Sequence, residues 1–323
     1  MDARSELVMR CAHKRALQIG PLSNQAFAEL MQAVSDSPQD FIDDEAEQSF
    51  ALLGDVLAYY KQSLLGDEFL DDESFFRARK QRLSLLRERC EEVVTLDSSN
   101  VDARLLLVLS SDDESNEQLR ALIELEHELD GERGQLEPGN ADAWEDVFLR
   151  PRLRVKAAIV RACLDSARYG LCVKKADELM RLSPSDELGA RLSCALAYAR
   201  LENEAGFDEL DMRYDRRGNA WFYLARVLLM FKLDRMAAAR RALAGFNRLC
   251  MGGAYALLRP TFVDTYLPDR PFAETGSFEE AHMAVHEADP VVVDTPDFVG
   301  WAQSQPDFEK SAVDFAQRYG FDW

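Results

Sequence analysis

Positive charge, histidine, glycine, proline and strand-like alternation are all scarce in this chain of 323 residues. Lys and Arg total 38 against 58 Asp and Glu, giving a formal charge of −20. That deficit excludes a general nucleic-acid binder, which needs clustered cations to neutralise phosphates, and adhesion to anionic membrane. No run approaches the roughly 18–20 apolar residues of a spanning helix. The best stretch, Trp221 to Phe231, is short and contains Arg226. Met1 to Gly20 carries Arg4, Arg10, Lys14 and Arg15 without an apolar stretch, unlike a signal peptide. The six cysteines (Cys11, Cys90, Cys163, Cys172, Cys194 and Cys250) form no CxxC pair. They read as small buried hydrophobes in a reducing compartment, so a cytoplasmic protein is expected. There is no P-loop, GxGxxG, HExxH or GxSxG, so no cofactor is expected.

What is present is helical periodicity. Apolar residues make up 47 % of the chain, with 16 Gly and 11 Pro. The stripes Phe50-Leu53-Leu57-Tyr60-Leu64 and Phe76-Leu83-Leu86-Cys90-Val93 repeat at helical intervals. Ser23 predicts a cap for the helix of Phe27, Leu30, Met31 and Val34. Ser115 with Gln118, and Ser277 with Glu280, have capping-box spacing. Thr295-Pro296 predicts a helix start with proline in first place. The short Val291-Val293 run after Pro290 is the one strand-like stretch. Ser35 to Glu47 and Pro260 to Gly276 read as loops.

A 32-residue repeat decides the architecture. Val160, Leu192 and Leu224 share that spacing, as do Leu164, Leu196 and Leu228, and Tyr169, Leu201 and Leu233. The first unit turns at Arg168-Tyr169-Gly170. Linkers recur as Leu96 to Ala103, Leu136 to Ala143 and Leu182 to Ala190: a leucine closes one helix, Pro or a short polar residue stops it, and Asn or Asp caps the next. The pattern resembles the tetratricopeptide repeat over about residues 90–250, and in particular the TPR-like group that includes bacterial relatives of the suppressor-of-tumorigenicity-7 family. The resemblance is carried by Trp144 with Arg150-Pro151-Arg152, the Leu182 to Leu192 linker, and Asn219-Ala220-Trp221. Gly276 to Ala281 and Thr295-Pro296 before Trp301 extend it. Glu187-Leu188 stands where that group has Asn-Gln, and Tyr255-Ala-Leu-Leu258 lacks its glycine. It implies an all-α, right-handed superhelix of helical hairpins with a helical C-terminal cap, and no catalytic residues.

The expected organisation is an N-terminal segment, partly flexible (1–22), irregular helical hairpins (23–95), TPR-like repeats (96–250) and a cap packed on the array (251–323). Charge is uneven along it. Residues 1–144 hold 14 basic and 31 acidic residues, 145–260 hold 21 and 14, and 261–323 hold 3 and 13. The basic middle points to a non-catalytic scaffold binding an acidic protein or peptide partner in a concave groove. Its candidate surface is Arg150, Arg152, Arg154, Arg161, Arg191, Tyr198 and Tyr223. A second reading has the acidic flanks cover the basic middle, giving a closed or self-associating module. A third, from the enzyme class, places a divalent metal on His282 and His286, four residues apart on one helix face near Glu279.

Overall fold

The structure, a computed structural model, describes residues 1–67 and 70–323. All regular elements among the described residues are helical, and no strand is present among them. The all-α expectation therefore holds. No helix is long and apolar enough to cross a membrane among the described residues. The chain divides into two compact units. The first comprises residues 1–114, 120–155 and 266–269; the second comprises 115–119, 156–265 and 270–323.

The first unit begins with α1 (Ala3–Ile19), capped by Asp2, and α2 (Asn24–Asp36), capped by Ser23 as its sequence predicts. Of the 35–47 stretch, expected as loop, Ser35 and Asp36 instead close α2 and residues 45–47 open α3 behind its Asp44 cap, with one 3-10 turn, Pro38–Phe41, between them. Helices α3 (Glu45–Ser63), α4 (Asp72–Leu96) and α5 (Val101–Leu109) follow. Leu53, Leu57 and Tyr60 of α3 share a core with Leu83, Leu86, Cys90 and Val93 of α4, so these two stripes do face each other. Asn100 caps α5 through the Ala103 N–H, as the linker pattern requires. Helices α6 (Ser115–Arg133) and α7 (Arg150–Asp165) each contribute to both units. Ser115 is the first residue of α6 rather than its cap: Glu114 takes that place without a side-chain bond, so the expected capping box is not formed.

The second unit holds α8 (Tyr169–Leu182), α9 (Ala190–Arg200), α10 (Glu204–Arg213), α11 (Ala220–Lys232) and α12 (Met236–Leu249). Helix α9 packs on α8, α10 and α11, and α11 packs on α12. The 32-residue spacing is a core spacing: Val160, Leu192, Leu224, Leu164, Leu196 and Leu228 are all buried. At the third set, Tyr169 is buried but Leu201 caps the end of α9 and is exposed. Helices α13 (Gly253–Leu258), α14 (Phe278–Val293), α15 (Phe298–Gln303) and α16 (Phe308–Tyr319) complete the unit.

Helix α14 lies against α9, α11 and α13. Val291 to Val293, strand-like in isolation, belong to its last turn. Pro290 sits inside the helix, and Val291 is buried beside Ala281, Ala284 and Ala288. Apolar burial on one helical face overrides the local β preference of the valines. Thr295 is not the cap of the next helix. Its hydroxyl bonds back to the Val291 carbonyl, and Asp297 occupies the N-cap of α15. An aromatic cluster of Tyr255, Phe278, Phe315 and Phe321 closes the end of the unit.

Candidate functional site

The seven residues expected on a binding surface fall in both units. In the first unit, Arg150 donates from Nε to the Trp144 carbonyl (2.8 Å) and its guanidinium lies over the Trp144 ring. Arg152 is buried and donates to Asp130 (2.7 Å) and to the Gly134 carbonyl (2.6 Å). Arg154 is 1 % exposed. Its guanidinium reaches Glu6, Asp102 (2.7 Å) and Asp269 (3.3 Å). Burial thus corrects the groove-facing assignment of Arg152 and Arg154. Arg154 instead points into the interior of the first unit, while Arg150 is half-buried on Trp144. Removing these charges from water is costly, and their mutual pairing, together with the Met1 ammonium on Asp269 (2.6 Å), offsets it. Burial still raises the pKa of Glu6, with Asp102 adding to the rise and Arg154 opposing it.

In the second unit, Arg161 is half-buried one turn before Asp165. Arg191 donates to Asp186 (3.0 Å) and stacks on the Tyr214 ring. Tyr198 is half-buried, and burial beside Cys194 and Asp177 pushes its hydroxyl up to about 12. Tyr223 packs under Gly218, where an added Cβ would collide with the ring. These four residues do not converge on one another.

The convergence point is Arg270, which sequence reasoning missed. It grips Glu287 of α14 with two 2.7 Å bonds, Nε to Oε1 and Nη2 to Oε2. It also donates to the carbonyls of Leu188 (2.9 Å) and Gly189 (3.1 Å) and to Ser193 Oγ (3.3 Å). Its guanidinium lies 5.4 Å from the centre of the Trp221 ring. The linker Ser183 to Gly189 is built for this contact. Gly189 adopts φ +66, and a Cβ there would strike Arg270. Asp186 caps α9 by accepting from the N–H groups of Ala190 (2.7 Å) and Arg191 (3.2 Å). A faint signal was available: Arg270 is one of three basic residues in 261–323, flanked by Pro268 and Pro271.

Acids around this arginine are perturbed. Asp165, at the end of α7, keeps access to solvent but is closely ringed by protein. Loss of bulk water and the facing Glu287 push it up to about 7, against the pull of Arg161 and Arg270. Asp186 is buried and rises to about 6, from desolvation opposed by Arg191 and its backbone bonds.

Helix α14 is held at both ends as well as at Glu287. Ser277 caps it through the Glu280 N–H (3.1 Å). The Glu280 carboxylate does not complete the expected box. It accepts instead from the N–H groups of Ala220 (3.3 Å) and Gly276 (2.8 Å), which ties α14 to the start of α11. At the other end Asp294 accepts from Arg200 (3.0 Å) and from the Tyr169 hydroxyl (3.3 Å). His282 shares a 2.6 Å bond with the Thr261 hydroxyl, stacks on Phe278, and is held below its usual pKa by burial. Its ring is thereby occupied, and no group of three metal-ligating side chains occurs among the described residues. Comparison with family models, curated proteins and solved structures gives no match for this chain.

Proposed function

We propose that the chain is a non-catalytic, cytoplasmic interaction scaffold of TPR-like hairpins, related to the group its repeat resembles, whose first-helix row receives an acidic helical segment. One observation carries the reading. Helix α14 lies along α9, α11 and α13, with Glu280 accepting from the Ala220 N–H at the start of α11 and Glu287 on Arg270. The chain thus supplies its own example of the ligand: an amphipathic helix with carboxylates at fixed intervals and an alanine face for close approach. The partner on this reading is a protein segment of the same chemistry, competing with α14 for the row. The closed-module reading draws on the same contacts and differs only in holding α14 permanent.

A labelled peptide copying residues 277–294 separates them. It should bind weakly to the native chain. It should bind at least about tenfold more tightly to a Glu280→Gln, Glu287→Gln chain, whose own helix is less firmly held. A peptide carrying the same two glutamines should lose that gain. If the folded double variant binds the acidic peptide no better than the native chain does, the row is not a receptor and α14 is a fixed core helix.

A further inference from the structure

A second feature of the same unit is independent of the scaffold reading. A cleft of about 430 Å³ opens between the end of α13, one face of α14 and the start of α15. Its accessible apolar lining is Leu258, Val292 and Val293, backed by the buried Leu257, Val285 and Phe298. Val293 at the rim is 72 % exposed, a large apolar side chain with nothing of its own chain over it. The α14 contributors follow helical spacing (Val285, Asp289, Val292, Val293), so this is a continuous helix face. Gly300 on α15 leaves a notch in the opposite wall, where an added Cβ would meet nothing within 4 Å.

Charge selects the ligand. Asp289 and Asp297 both line the cleft, and no lysine, arginine or histidine does. Neither carboxylate is paired with a basic side chain among the described residues. The neighbouring Arg259 stacks on the Trp323 ring. An apolar cleft of this size with a few charges of one sign has the make-up of a small-molecule site. Uncompensated carboxylates at its edge disfavour an anion and favour a cation whose apolar body covers the floor.

We propose that this cleft binds a small hydrophobic amine, with the ammonium between Asp289 and Asp297 and the apolar body on Leu258, Val292 and Val293. Titration calorimetry with two probes of one shape tests it: 1-naphthylmethylammonium and 1-naphthoate, at pH 7 and physiological salt. The full chain should bind the cation saturably and prefer it at least about tenfold. Two partly exposed ion pairs account for that order, since each is worth up to about fivefold. Asp289→Asn with Asp297→Asn should bring the preference below about threefold. Asparagine tolerates the left-handed backbone that Asp297 adopts at φ +65, so the turn is retained. Gly300→Leu fills the notch from a helical position and should weaken the cation at least about tenfold while the melting temperature holds or rises. No saturable binding of the cation to the native chain overturns the proposal. So does equal binding of naphthoate, or undiminished binding by a folded Gly300→Leu chain.

Discussion

Arg270 and Glu287 form a two-bond pair, 2.7 Å on each arm, that joins the irregular 260–276 stretch to α14. The arginine's remaining donors go to Leu188, Gly189 and Ser193, so one side chain binds the strap, the α8–α9 linker and α14 together. Both partners are buried to above nine-tenths of their side chains. Arg270→Gln removes the two-bond partner of the buried Glu287 carboxylate and should cost about 3–5 kcal/mol in urea denaturation. Arg270→Met with Glu287→Met removes both charges and should recover much of that loss. A single variant within about 1 kcal/mol of the native chain would show that the strap is held by other contacts.

The repeat was legible because burial imposed it. Leu192 and Leu224, and Leu196 and Leu228, recur at 32 residues and are buried on α9 and α11 of the second unit. The caps at Ser23, Asn100 and Ser277 were legible for a local reason, because each bonds to a backbone N–H three residues on. The ionic contacts were not. Arg154 meets Asp269 across 115 positions, and Arg270 meets Leu188 across 82, distances at which one sequence carries no pairing signal. Charge counting did sense the basic middle. It could not separate arginines spent inside the fold, such as Arg152, from those on a surface such as Arg241.

Asp165 and Asp186 set a pH dependence of definite sign. Both have folded pKa values above the unfolded carboxylate, at about 7 and about 6. The folded chain therefore holds more protons than the unfolded chain between about pH 4 and pH 7. The stabilisation from these groups is complete below about pH 4 and is lost as pH rises through 6 to 7. Asp165 faces Arg161, Arg270 and Glu287, so all three modulate the upper end. Asp165→Asn should flatten the fall in melting temperature between pH 5 and pH 8. An unchanged slope in this variant would remove Asp165 from the account.

The thiols should be silent in the folded chain. All six are buried and none is in a disulfide. Desolvation pushes Cys11 up to about 11 and Cys90, Cys194 and Cys250 up to about 12, so almost no thiolate exists near neutrality. Reaction with a disulfide reagent at pH 8 should be limited by unfolding and should reach six equivalents in denaturant. Rapid labelling of any one cysteine under native conditions would mark a locally open segment at that position.

Arg154 offers the sharpest contrast with a surface charge. It was expected in a groove, where Arg154→Glu would abolish binding and leave the fold intact. Its burial among Glu6, Asp102 and Asp269 makes it a folding residue of the first unit. Arg154→Leu keeps the apolar stem but leaves three carboxylates facing one another, and should cost about 3–5 kcal/mol. Without the guanidinium the Glu6 pKa, already raised by burial, rises further, so the loss should be greater at pH 8 than at pH 5, where protonation relieves it. Arg241→Ala, on the exposed side of α12, should stay within about 0.5 kcal/mol at both pH values. Urea titrations of the two variants at the two pH values decide the matter. Equal, small effects from both would mean that Arg154 is not the ion that holds the first unit together.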